Sequence, residues 1–179
     1  MRQIALQDSK LITQMKRRVF LKTVGSAAGA AALGVPRVLG GAESATQAMV
    51  PRRALGRTGA RVSVVGFPGL ALTKCDQAKG TEALHDAFDR GVNYFDVAPA
   101  YGNGDAEVKM GIGLQGLDRS NYFLACKTHK RDEAGAQLEL DRSLQRLKTD
   151  HFDLYQLHHL VTPAEVKQAL GPGGAMDAI

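Results

Sequence analysis

Three largely apolar runs in this sequence each stop on a polar side chain, and segments with helical spacing lie between them. That alternation limits what the chain can fold into more than any other feature. Asn93–Val97 carries Asp96 near its end, Tyr122–Lys127 ends on Lys127, and Phe152–His158 ends on His158. Between them, Asp105–Leu114 and Glu133–Leu147 read as helices, the second with Leu140, Leu144 and Leu147 at i, i+4 and i+7. Upstream, Arg53–Ser63 reads as a short hairpin turning at Gly56 to Gly59, and Ser63–Phe67 as a first buried strand. Gln77–Arg90 then reads as a helix with Leu84, Ala87 and Phe88 on one face, closed by Gly91. Strands that are apolar almost throughout and alternate with helices are parallel and covered on both faces.

In such a sheet the C-terminal strand ends share one edge, which in (β/α) barrels is where active sites lie. Asp96, Lys127 and His158 therefore converge although they are far apart in sequence. Side-chain alternation puts Phe123 and Ala125 on the face of Lys127 and turns Cys126 toward the helices; it groups Phe152, Leu154 and Gln156 with His158. Tyr101 stands five residues after Asp96, in a loop rich in Pro and Gly.

The segments RALGRTGARVSVVGF, GVNYFDVAPAYGNGDAE, LACKTHKRD and LDRSLQRLKTDHFDLYQLHH, which span about Arg52 to His159, resemble the first half of an aldo-keto reductase. The resemblance implies an α/β fold of the (β/α)8 TIM-barrel type, NADPH as cofactor, and a catalytic tetrad falling on Asp96, Tyr101, Lys127 and His158. The activity implied is reduction of aldehydes or ketones, with hydride from the nicotinamide and a proton from Tyr101. A phenol ordinarily titrates near ~10, so a neighbouring cation such as Lys127 eases its ionisation, and Asp96 holds that cation. His158 would donate to the substrate oxygen and orient it. Gly66, Gly69 and Asp96 are the expected cofactor contacts, although Pro68 removes a backbone donor between the glycines. His85, His129 and His151 read as surface or packing residues, and His159 as second to His158. The run GIGLQG, Gly111 to Gly116, matches a dinucleotide-loop pattern but sits at a helix end rather than after a strand, so it reads as a helix terminator.

Charge distribution assigns the N-terminal region a separate task. Residues 1–50 carry seven Lys/Arg against two Asp/Glu, whereas residues 51–179 carry sixteen of each. A balanced remainder without Trp gives no basic stripe or stacking platform, which argues against nucleic-acid binding. Lys16, Arg17 and Arg18 precede an uncharged Ala/Gly-rich run from Thr23 to Pro36, then small residues around Ala42 to Ala45: the layout of an export signal, and one that resembles the twin-arginine type. Lys16 stands where that pattern usually has Ser or Thr. The run falls short of the roughly 18 to 20 residues that span a bilayer, so no stable membrane anchor is expected. Residues 1–50 are thus read as signal and linker, and residues 51–179 as the barrel portion of a protein exported by the twin-arginine machinery to a periplasmic or other extracytoplasmic location.

Eight βα units close such a barrel, and about four are legible before Ile179, so a truncated barrel is expected. The rival reading is an inactive half barrel or pseudoenzyme; open strand edges and an apolar inner face would then favour self-association and weak NADPH binding. Cys75 and Cys126 have no paired spacing, and neither a disulfide framework nor a metal site is indicated.

Replacing Arg17 and Arg18 with lysine is expected to abolish export. Fractionation of cells expressing the full-length protein reads the outcome, and undiminished protein outside the cytoplasm would refute the assignment.

Overall fold

Residues 48–179 are described by the computed structural model; the export signal read above lies outside them. An antiparallel hairpin comes first. Its strands β1 (Arg52–Ala54) and β2 (Arg61–Ser63) pair with Arg53 opposite Val62, and the loop between them bends through Gly56 and Gly59. Asn93 fastens the hairpin to the body of the fold: Oδ1 accepts from the Ser63 amide at 2.7 Å and Nδ2 donates to the Arg61 carbonyl at 3.0 Å. Residues 61–63 are thereby held in the hairpin ladder. The first strand of the main sheet is consequently only β3 (Phe67–Pro68), not Ser63–Phe67, and Val64 and Val65 are exposed.

The main sheet adds β4 (Tyr94–Asp96), β5 (Phe123–Thr128) and β6 (Leu154–Leu157), in the order β3-β4-β5-β6, with every neighbouring pair parallel. Helices α1 (Gln77–Asp89), α2 (Asp105–Gly113) and α3 (Glu133–Leu147) make the crossovers, and α4 (Pro163–Leu170) follows β6. Strand order that follows chain order is that of the opening part of a (β/α) barrel. The helix starts are specified locally. Asp76 and Asp132 accept from the amides of Lys79 and Gly135, and Thr162 with Glu165 forms a reciprocal capping box around Pro163. Among the described residues no helix is long and apolar enough to cross a membrane.

The core lies between the sheet and its helices, where Phe95, Val97, Leu124 and Cys126 meet Leu84 of α1, Met110 of α2 and Leu147 of α3. Two expectations about facing are corrected here. Helix α3 buries Ala136, Glu139, Ser143 and Leu147, while Leu140 and Leu144 are only half-buried, because Glu139 is drawn inward to bond the end of β5. Phe152 stacks on Tyr155 at 5.4 Å on the core side, apart from Leu154 and Gln156: it precedes β6, so strand alternation does not reach it.

Glu107 of α2 is wholly buried, and its Oε2 accepts from Arg146 Nη1 of α3 at 2.9 Å. Of the glycines in the GIGLQG run, Gly111 serves this same helix contact, while Gly113 packs against Leu84 and Thr81 of α1. A Cβ on Gly111 would lie 2.7 Å from Leu147 Cα, and Gly116 follows the helix at φ 89°.

Removing one partner of a buried ion pair strands the other. Arg146→Met is therefore expected to cost about 3 kcal/mol or more, and Glu107→Gln less, because the half-buried Arg146 keeps access to water. Urea denaturation of the two variants checks the order, which the reverse ranking would overturn.

Candidate active site

Parallel pairing sets Asp96 opposite Ala125 and Lys127 opposite Gln156, so Asp96 and Lys127 share the sheet face turned away from the helices. Lys127 Nζ donates to both carboxylate oxygens of Asp96, at 2.5 and 2.7 Å. The lysine side chain is only 11% exposed. Burial by itself would lower its pKa, but the hydrogen bond and charge of Asp96, aided by Tyr101, outweigh that and hold it above the ordinary lysine value. Lys127 is thus a firmly charged ammonium.

Tyr101 heads a short 3-10 turn, Tyr101–Gly104, and its amide donates to the Ala98 carbonyl at 3.0 Å. The next three residues all have positive φ: 62° at Gly102, 54° at Asn103 and 91° at Gly104. Two glycines and an asparagine are the residues that enter this region at least cost. Gly104 is doubly required, since a Cβ there would collide with the Arg146 guanidinium. The backbone curl leaves the Tyr101 ring 5.5 Å from Lys127 Nζ and edge-on to the His158 ring, with centroids 5.9 Å apart.

His158 follows β6, and its amide donates to the Thr128 carbonyl at 2.9 Å. Burial, then the neighbouring His129 and Lys127, brings its pKa down to about 4, so the ring is neutral at pH 7. Its Nδ1 is buried without a hydrogen-bond partner. His159 is exposed and has φ 57°. His129, read from sequence as a surface or packing residue, packs its ring 4.1 Å from that of His158. His85 Nε2 donates to the Gly113 carbonyl and His151 pairs with Asp150, both away from this edge.

Gly66 and Gly69, expected at the cofactor, have a packing reason of their own. A Cβ on Gly69 would lie 2.6 Å from the Asp96 carbonyl oxygen, and one on Gly66 would lie 3.0 Å from the Tyr94 ring. Pro68 pairs in register with Asp96, which brings this segment alongside the carboxylate. Sequence reading also missed Glu139 and Arg131. Glu139 accepts from Thr128 Oγ1 at 2.6 Å and the His129 amide at 2.9 Å, fixing the end of β5. Helical spacing of apolar residues hides such a group, because it is a carboxylate on a buried face. Burial, then Glu107, pushes the Cys126 thiol well above its usual range and leaves it inert. Among the described residues no cluster of His, Cys, Asp and Glu is arranged to hold a metal ion.

The edge therefore presents a phenol beside a fixed ammonium and a neutral imidazole, groups suited to giving a proton to an oxygen on which negative charge develops. Comparison with known proteins agrees in kind. Residues 65–171 match the model of the "Aldo/keto reductase family". L-galactose dehydrogenase of Arabidopsis thaliana is 35% identical over 122 residues, covering 60% of this chain and 38% of that protein. The aldo-keto reductase YhdN of Bacillus subtilis is 32% identical, covering 58% of this chain and 37% of that protein. The chain thus spans about two fifths of the length of these curated relatives. Among solved structures, the holo form of the aldo-keto reductase AKR11C1 from Bacillus halodurans superposes with a TM-score of 0.58 at 29% identity, covering 67% of this chain and 45% of that one. An aldo-keto reductase from Klebsiella pneumoniae in complex with NADPH gives 0.54 at 28%, covering 62% and 41%.

The depressed pKa values of His158 and His129 have a consequence for stability. On acidification the unfolded chain takes up these protons first, near about 6.5, so folding stability falls as pH drops from there toward the folded values and is untouched above. Thermal melts between pH 7 and pH 5 are expected to show a shallower decline in His158→Gln than in the parent. Equal slopes would contradict the half-buried, neutral imidazole.

Proposed function

Because this chain belongs to the aldo/keto reductase family, we propose that it serves NADPH-dependent reduction of aldehydes or ketones, with Tyr101 as proton donor. The observation that carries the reading is the single sheet edge at which the Lys127–Asp96 pair, the Tyr101 ring and the His158 ring meet. Tyr101 gives its hydroxyl proton to the carbonyl oxygen as negative charge develops there. The Lys127 ammonium stabilises the phenolate left behind, and Asp96 keeps that ammonium in place. A neutral His158 donates one N–H to the same oxygen and sets its orientation, a role that suits a ring with a depressed pKa.

NADPH, when bound, supplies the hydride. Gly66, Gly69 and Asp96 are the residues that would hold its nicotinamide end. The fit is supported by the place of the Gly66–Gly69 segment beside Asp96 and by the unpartnered Nδ1 of His158, which leaves the polar edge short of one partner. The NADPH complex of the Klebsiella relative supports the choice of cofactor. Export by the twin-arginine route belongs to the same proposal, since a protein that folds around a cofactor must cross the membrane folded; a small carbonyl compound outside the cytoplasm is then the substrate class.

The test is Tyr101→Phe in the full-length protein, a change that deletes only the hydroxyl. Carbonyl reduction is expected to fall by about 10² or more, while NADPH affinity, followed by cofactor fluorescence, stays within a few-fold. Activity within a few-fold of the parent would reject Tyr101 as the donor.

A further inference from the structure

Between the ends of β5 and β6 one terminal nitrogen of the Arg131 guanidinium faces three acceptors, while Nη1 donates to the Lys130 carbonyl at 3.4 Å. Arg131 Nη2 lies 2.8 Å from the His158 carbonyl oxygen, 3.0 Å from that of His159 and 3.2 Å from Glu165 Oε1. The arginine side chain is only 11% exposed. Its own backbone is anchored as well: its carbonyl accepts from the Ala175 amide at 3.0 Å, and the adjoining Asp132 bridges to Gly174. The residue it grips is in an unfavourable conformation, since His159 is not a glycine and has φ 57°. A left-handed non-glycine residue persists only where its surroundings over-determine it. Two carbonyls tied to one buried cation, together with the His158 amide bonded to Thr128, supply that constraint.

The geometry points to Arg131 as a positioning residue for His158: by clamping the carbonyls of His158 and His159 it fixes where the imidazole stands against Tyr101. This inference rests on the reductase reading and adds to it a residue that touches neither substrate nor cofactor. A purely structural alternative exists in the same contacts, because Arg131 also ties α4 to the fold through Glu165. The two roles separate experimentally. Glu165→Gln removes the ion pair yet keeps a capping side chain and leaves both carbonyl contacts to Arg131, whereas Arg131→Ala removes all of them.

In the full-length protein, Arg131→Ala is expected to lower kcat by about ten- to a hundred-fold, the scale of a misplaced orienting group, with NADPH affinity within about three-fold of the parent. Arg131→Lys, which retains a donor for the carbonyls, recovers most of the loss, and Glu165→Gln stays near the parent. Because Arg131 acts through His158, the double variant Arg131→Ala/His158→Ala is no slower than His158→Ala alone. NMR titration of the His158 ring supplies a readout apart from activity: release of the clamp admits water and raises its pKa toward the ordinary imidazole value. Where Arg131→Ala does not fold, Arg131→Gln takes its place in the cycle. Losses that multiply in the double variant, or an unshifted His158 titration with kcat within about two-fold of the parent, would overturn the inference. Full activity in His158→Ala would instead remove the reductase role of that histidine, and the titration would still decide whether Arg131 holds it.

Discussion

A half-buried ammonium needs a counter-charge, and the bond between Lys127 and Asp96 is the interaction on which the sheet edge depends. Both carboxylate oxygens are engaged, at 2.5 and 2.7 Å, so the pair is fixed in direction as well as distance. Its side chains are 11% and 27% exposed, well outside the regime in which surface ion pairs contribute next to nothing. The pair closes because parallel register puts Asp96 opposite Ala125, two residues before Lys127 on the same face. Gly69 helps from the other side, since any side chain there would press on the Asp96 backbone. Tyr101 and His158 then arrive at a position already defined by charge.

A second charged pair behind the sheet reaches the same site indirectly. Glu107 and Arg146 join α2 to α3, and the Arg146 guanidinium lies where a Cβ on Gly104 would otherwise stand. The turn that carries Tyr101 is therefore shaped from the rear by a half-buried arginine and faces a half-buried lysine. Glu139 extends this pattern by securing Thr128 and His129 at the end of β5, and Arg131 extends it across to β6. The strand ends are held level by polar contacts, each of which would be costly to leave half-made.

Much of this was legible from the residues, for definable reasons. Apolar runs with polar ends gave β4, β5 and β6 to within about two residues at each end, and the Gly91 stop and the Glu133–Leu147 spacing bounded α1 and α3 as read. The first strand was misread because Val64 and Val65 look like core, whereas the hairpin bonds of Ser63 and Asn93 capture the preceding residues. The buried face of α3 was misread because apolar spacing gives no weight to a carboxylate that bonds a strand end. At the edge, residue type and spacing pointed to Asp96, Tyr101, Lys127 and His158. Nothing in spacing could reveal Arg131 or the ring of His129, whose contacts cross between loops that meet only in three dimensions.

Strand order that copies chain order also bears on how the edge is built in time. Lys127 and Asp96 are 31 residues apart, and Arg131 and His158 are 27 apart, so each contact joins one βα unit to the next. The packing of Tyr101 against His158 skips one unit and so waits for β6, whereas loop closure over the shorter spans is cheap and fast. The edge can accordingly grow unit by unit during synthesis, with the carboxylate emerging first, then the phenol, the lysine and the histidine. A nascent chain of this design acquires its polar edge from the N-terminal side, and β5 brings its lysine to a carboxylate already waiting for it.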